Sequence, residues 1–445
     1  MTKLGPSKRE EEAELRRRVT DGSHDPDDYL ALAQLLISAG RGEEAIAVCR
    51  SALTLPLTNF QKARVSSELG WVFYGMGRHS DALQSAQGAL ELLAVEAMAP
   101  EILACQARSY SVIALCKWMN KEAHSESKEA ARLALICYEH LMRDAPDFEE
   151  MKAVYYDAAQ LQNLVGNNKL GIELCQKYLE CELEDGERAE GLNQLAECLR
   201  NENRIVEAEK VLEQAFLLAQ HIKEMLPAFL FTQGLLKRAN NRPDEARNSF
   251  EKALAALKDH PYPHHDPNFC SDAYWNIGEL SYQQQQYVEA LQAFEKILLY
   301  HPGEDLDHRN ALLWIGSCCE AQEKPQEAIT YFSKVLALTS VSETEKITAK
   351  KGLAWNIGKI HYGQHEYEEA AAAFEEVAGY QSHDDPERYN TLYWLGHSYL
   401  GLRDYESARN CYTEITESPY ATDFDKEGAK QALSELPHPL GKTTH

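Results

Sequence analysis

Three stretches of this chain spell nearly the same phrase: Ala273-Tyr-Trp-Asn-Ile-Gly278, Leu353-Ala-Trp-Asn-Ile-Gly358 and Thr391-Leu-Tyr-Trp-Leu-Gly396. Twelve residues after each glycine comes an alanine in an acid-flanked segment: Ala290, Ala370 and Ala408. Four residues later stands an aromatic: Phe294, Phe374 and Tyr412. The frame continues through Gly316, Ala328 and Phe332, through Gly234, Ala246 and Phe250, and upstream to Gly70 with Ala82 and Ala196 with Ala208. Apolar residues at i, i+4 and i+7 fall on one stripe of a helix. A glycine or alanine on one helix and an alanine on the next let two backbones approach closely, and the aromatic fills the gap beside them.

This pattern resembles the tetratricopeptide repeat, whose unit is a pair of antiparallel helices, A and B. Its helix B small residue recurs at Ala45, Ala82, about Ala131, Gly171, Ala208, Ala246, Ala290, Ala328, Ala370 and Ala408. The intervals exceed the family's usual period of about 34 residues, so helices or turns are lengthened. The resemblance implies an all-α fold: an α-solenoid of about ten tetratricopeptide-type helix-turn-helix repeats over residues 26–418, wound into a right-handed superhelix. About twenty-one to twenty-three helices, no sheet and one continuous core are expected, since each unit buries its face only against its neighbours. Residues 1–25 read as a charged helix or flexible segment, with Ser7-Lys-Arg-Glu10 as a capping box. Residues 419–436 read as a C-terminal capping helix that buries Phe424, Ala432 and Leu433, and 437–445 as a flexible tail. The third unit matches least well. Its stretch Asn120 to Glu129 reads as a polar inter-helix connection, and with the 260–270 connection it is the expected site of proteolysis.

Seventy acidic residues against 45 basic ones leave a net charge of −25. Such a surface repels phosphate backbones and argues against general nucleic-acid binding; the only basic cluster is Arg16-Arg17-Arg18. No apolar run approaches the roughly 18 residues of a membrane span, so no membrane association is expected. Met1 to Val19 lacks the apolar core of a secretory signal. Eleven cysteines, an odd number with no C-x-x-C pair, read as small buried apolar residues in a reducing compartment. The expected location is the cytoplasm.

Motifs of chemistry are scarce. No G-x-S-x-G, G-x-G-x-x-G, P-loop or H-E-x-x-H sequence occurs, so a non-catalytic chain without cofactor or metal is expected. His361 and His365 have the i, i+4 spacing of two metal ligands, but no third ligand is evident and Gly363 weakens the helix between them. His260, His264, His265 and Asp266 lie near Cys270, where prolines mark an irregular connection rather than a zinc site. The acidic pairs, such as Glu368-Glu369 and Asp384-Asp385, sit at helix starts or on solvent faces and serve solubility.

The family resemblance also implies that helix A lines the inside of the superhelix. Its inward positions precede the repeat glycine by six and three residues and follow it by one and four. These positions hold Trp71, Tyr74, Tyr156, Phe231, Trp275, Tyr282, Trp355, Tyr362 and Tyr393. The charged residues among them are Asp27, Glu190, Glu197, Asp272, Glu279 and Glu320 against Arg64, Arg200, Arg238 and Lys359. Asn276 and Asn356, two residues before their glycines, add amide groups. A nearly neutral, aromatic-rich inner face suits an extended or helical peptide. The candidate peptide-binding residues are therefore Trp71, Tyr156, Phe231, Trp275, Asn276, Trp355, Asn356 and Tyr393, with packing against the adjoining unit as the other role for each ring. The lysine and asparagine set with which family members grip a C-terminal carboxylate is not found in three consecutive units. The expected function is a non-catalytic scaffold for a protein or peptide partner. The alternative is a peptide-sensing regulator whose superhelix changes conformation on binding.

Overall fold

The computed structural model describes residues 6–96, 99–119, 123–219, 222, 225–257 and 267–437. Among these residues there are twenty-two α-helices and no strand. After α1 (Pro6–Thr20) the helices follow as antiparallel neighbours, which makes the chain an all-α array of tetratricopeptide-type helix pairs. The first five pairs are α2 (Pro26–Ser38) with α3 (Gly42–Ala52), α4 (Asn59–Gly75) with α5 (His79–Leu93), α6 (Pro100–Met119) with α7 (His124–Asp144), α8 (Met151–Val165) with α9 (Asn168–Glu180), and α10 (Asp185–Asn201) with α11 (Ile205–Leu218). Five more are α12 (Leu226–Ala239) with α13 (Pro243–Leu257), α14 (Pro267–Gln283) with α15 (Tyr287–Tyr300), α16 (Leu306–Ala321) with α17 (Pro325–Ala337), α18 (Glu343–Gly363) with α19 (Tyr367–Gly379), and α20 (Glu387–Leu402) with α21 (Tyr405–Glu417). The last helix is α22 (Asp423–Glu435). None is long and apolar enough to cross a membrane.

The sequence frame maps onto these pairs residue by residue. Every marker alanine from Ala45 to Ala408 lies in the second helix of its pair and is fully buried, and Gly171 is buried at the same place. The repeat glycines face the aromatics directly. A Cβ on Gly278 would stand 2.7 Å from the Phe294 ring, and one on Gly358 2.8 Å from Phe374. Only a missing side chain lets the ring lie against the helix A backbone.

Seven residues after the small residue of helix A, the chain turns through the left-handed region. Gly40, Gly77 and Gly166 do so, and so do Asn203, Asn241, Gln285, Glu323, His365 and Arg403, with φ between 54° and 62°. Such a residue closes a helix and frees its successor to bond back. Around Gln285, for instance, its own N–H donates to the Tyr282 carbonyl and the Gln286 N–H to the Ser281 carbonyl. His365 is one of these turn residues, so it has left the helix that holds His361.

The chain divides into two compact units, Met1–Ala273 and Tyr274–His445. In the first, one large cluster of buried apolar side chains runs from Leu15 to Leu236, with a smaller one around Ala63, Leu93 and Ile102. In the second, one cluster spans Ala290 to Ala349 and another Ala370 to Leu436. The described residues thus form several clusters where one continuous core was expected. Each repeat touches only its neighbours, so half-buried side chains at a boundary, such as Leu353 and Trp355, interrupt the fully buried run.

Three further expectations are corrected. Helix α1 starts at Pro6, which puts Ser7 inside the first turn rather than at the cap. His124 to Glu129 are the opening turns of α7 rather than a connection, because Ala130, Ala131 and Ala134 give that segment a buried stripe. Phe424 is 85% exposed, while Ala432 is buried at 6%. It follows the cap Thr422, whose hydroxyl bonds Asp425 N–H, on the first turn and away from the face that packs. Residues 120–122 and 258–266, with His260 to Asp266, lie outside the described residues.

Candidate binding site

In the second unit the helix A aromatics form one arrangement twice, shifted by eighty residues. Trp275 lies 5.5 Å from Phe294 and 6.1 Å from Trp314, and Tyr282 lies 5.1 Å from Trp314. The second copy has Trp355 at 5.4 Å from Phe374 and 6.5 Å from Trp394, with Tyr362 at 5.1 Å from Trp394. Trp314 and Trp394 come from the following repeat and stand two residues before its glycine, outside the four inward positions. The shared spelling Trp-x-Gly at Trp314-Ile-Gly316 and Trp394-Leu-Gly396 was the signal for them.

The other sequence candidates also touch neighbouring rings or charges. Trp71 meets Tyr74 edge to face and carries the Arg108 guanidinium 5.8 Å above it. Tyr156 lies against Tyr178, Phe231 against Phe250 and Phe269, and Tyr393 against His397 and Tyr412. Helix α22 covers part of Tyr393, for a Cβ on Gly428 would lie 3.4 Å from that ring. Asn356 is 2% exposed, and its Nδ2 donates to Glu320 and to the Gly352 carbonyl, both at 2.8 Å. That amide is taken up inside the protein. Asn276 is buried at the matching position. The rings remain half-buried, so packing takes part of each and leaves part facing out.

His361 bonds Glu366 at 2.6 Å and His365 bonds the Tyr367 hydroxyl at 2.8 Å, so the two imidazoles serve separate contacts. No cluster of three or more metal-ligating side chains occurs among the described residues.

A cavity of about 750 Å³ lies in the first unit, between α2, α4, α6 and the α7–α8 connection. Seven acids and two arginines line it. Both arginines are already paired. Arg64 bonds Asp27 at 2.8 Å, and Arg108 bonds the almost fully buried Glu68 at 2.9 Å. Glu101, Asp147, Glu149 and Glu150 are exposed at its rim and form no ion pair among the described residues. On α8, burial pushes the Asp157 carboxyl up to about 6 against the pull of Arg108 and a hydrogen bond from Tyr138, with Glu150 and Glu68 adding to the rise. The counted helix A positions are nearly neutral in sum, while the lining of this one cavity is acidic. Three of the seven acids, Asp147, Glu149 and Glu150, stand in the α7–α8 connection, which no count of helix A positions includes.

Patterns for the tetratricopeptide repeat match residues 270–341, residues 231–305 and 356–422, and residues 2–68 and 152–262. Among solved structures, the apo form of the quorum sensor NprR from B. thuringiensis shares 14% identity over 65% of this chain and 80% of that one, with a TM-score of 0.45. A human IFIT1 dimer with m7Gppp-AAAA shares 16% over 97% and 95%, with a TM-score of 0.44. MamA shares 20% over 43% and 99%, with a TM-score of 0.33. No curated protein matches significantly in sequence. With the repeat patterns covering most of its length and helix pairs built on their small residues, the chain belongs to the tetratricopeptide-repeat family.

Proposed function

We propose that the protein is a non-catalytic interaction scaffold that holds a basic segment of a protein partner in the cavity of its first unit. The observation that carries this reading is the charge of the lining. Two arginines are internally paired, and four rim carboxylates form no ion pair among the described residues. A lysine- or arginine-bearing segment supplies the missing charge and is steered toward it at low salt. The volume also fits, since ligand sites commonly enclose about 300 to 1,000 Å³. The half-buried rings of helix A stand outside the cavity lining and stiffen the repeats.

The test is titration of the full chain with a labelled lysine- and arginine-rich peptide, its glutamate-rich counterpart and an RNA oligomer. The basic peptide should bind saturably and more weakly as salt rises. Glu149→Lys with Glu150→Lys, both exposed, should weaken it about tenfold without lowering the melting temperature. RNA binding that the charge reversal strengthens, with no response to the basic peptide, would sink the reading.

A further inference from the structure

We infer, resting on the reading of the first-unit cavity as a seat for basic segments, that Asp157 on α8 regulates that seat by its ionisation. The cavity holds a cation more tightly once this carboxyl has lost its proton, and filling the cavity drives the proton off. The two sites do not touch. Asp157 stands outside the described lining of the cavity, while Glu150, at the N-terminal cap of the same helix, is part of it. They are seven positions apart, about 10 Å along a helix and on one face of it.

One guanidinium serves the acids on both sides. Arg108 lines the cavity and bonds the buried Glu68 at 2.9 Å, and Glu68, Asp157 and Glu150 all pull on its charge. Asp157 accepts from the Tyr138 hydroxyl at 3.0 Å, whose oxygen also lies 3.2 Å from Ser111 Oγ. The groups facing Asp157 are thus Glu68 on α4, Arg108 on α6, Tyr138 on α7, Tyr178 on α9, and Glu150 and Tyr156 of its own helix. Beyond the tyrosines, on α10, stand Glu187, Glu190 and Glu197, which act on Tyr156 and Tyr178. None of these is a histidine, the other side chain that titrates near neutrality.

Burial holds the Asp157 carboxyl up at about 6 against Arg108 and the Tyr138 bond, with Glu150 and Glu68 adding to the rise. A lysine or arginine seated beside Glu150 offsets that repulsion and stabilises the carboxylate, so its value falls back toward the ordinary one. Linkage makes the effect mutual: what the cation does to the proton, the proton does to the cation. At low pH the carboxyl is protonated with or without the cation, and the seat lacks that charge. Well above about 6 it is ionised in both states, and the cation is held most tightly. Affinity therefore rises with pH up to about 6 and levels off beyond. Unit charges about 10 Å apart at an effective dielectric of ~20 change an equilibrium about tenfold.

The experiment titrates the full chain with the labelled lysine- and arginine-rich peptide between about pH 5 and about pH 7.5, for the parent, Asp157→Asn and Tyr138→Phe. At the upper end the parent should bind about fivefold to tenfold more tightly than Asp157→Asn, and at about pH 5 within about twofold of it. The comparison cancels the titration of the other acids. Calorimetry in two buffers of different ionisation enthalpy should show the parent releasing about half a proton more than Asp157→Asn at about pH 5.5. Tyr138→Phe removes a bond that favours the ionised carboxyl, so its rise in affinity should move to higher pH, although Tyr138 is outside the described lining of the cavity. Parallel profiles for the parent and Asp157→Asn, or a Tyr138→Phe midpoint that does not move, would overturn the proposal. If the Glu149 and Glu150 charge reversal still weakens the peptide while those profiles stay parallel, the scaffold reading stands without this regulation. A basic peptide that binds at no pH removes both.

Discussion

The indole rings of Trp275 and Trp314 meet edge to face, 6.1 Å between centroids, one from each of two consecutive repeats. The phenyl ring of Phe294 lies against both, at 5.5 and 5.4 Å. The aromatic row of the second unit is therefore, first of all, a joint between repeats. What it offers a ligand are the ring parts that the joint leaves uncovered.

A stability prediction follows from that joint. Trp275→Ala should destabilise the second unit by about 3 kcal/mol, as truncating a packed aromatic does. Trp275→Ala combined with Trp314→Ala should cost less than the two singles added, with a coupling of about 1 kcal/mol. Denaturant unfolding of the four proteins gives the coupling directly. Trp355 and Trp394 should repeat the result, because their surroundings are copied. Strict additivity in both cycles would mean that the rings are neighbours without being partners.

The glycines divide into two classes that should respond oppositely. Gly316 faces the Phe332 ring, where a Cβ would sit at 2.8 Å, and a Cβ on Gly352 would sit 2.5 Å from the same ring. The ring has no room to retreat, so Gly316→Ala should cost about 1 to 3 kcal/mol through overpacking. Gly88 lies inside α5 with nothing within 4 Å of a new Cβ. There alanine should add up to about 1 kcal/mol through helix propensity. Thermal melts that shift in the same direction for both would contradict the packing account.

The fold was legible because its rule is local. A small residue facing an aromatic leaves a fixed spacing in the chain, and Gly278 with Ala290 and Phe294 spells that rule outright. The turn at position seven was hidden, since Gln285, Glu323 and His365 are residues that only tertiary closure holds in the left-handed region. The site was less readable for a related reason. Register counting found Trp355 and Asn356, but it could not tell that Asn356 is bound to Glu320. Nor could it bring Glu149 and Glu150 into one cavity with Arg108, because they stand in a connection that obeys no helical period.

The last prediction concerns Asp157. Its carboxyl, raised to about 6 chiefly by burial, has an ordinary value of 3.8 once the chain unfolds. Below the lower value it is protonated in both states and contributes no difference. Above the upper value it is ionised in both, and the folded state carries a charge that burial disfavours. Stability from this group is therefore highest at low pH and is lost as pH rises from the unfolded value through the folded one. The loss amounts to about 2 kcal/mol at neutral pH, allowing for its partial exposure. Asp157→Asn keeps an oxygen for the Tyr138 hydroxyl, which now donates to Asp157 at 3.0 Å, and removes the charge. It should melt above the parent at about pH 7 and level with it near pH 3.5. Comparing the two proteins cancels the titration of every other acid. A gap that stays constant across that range would show that Asp157 does not titrate there, and that burial raises its carboxyl less than the geometry implies.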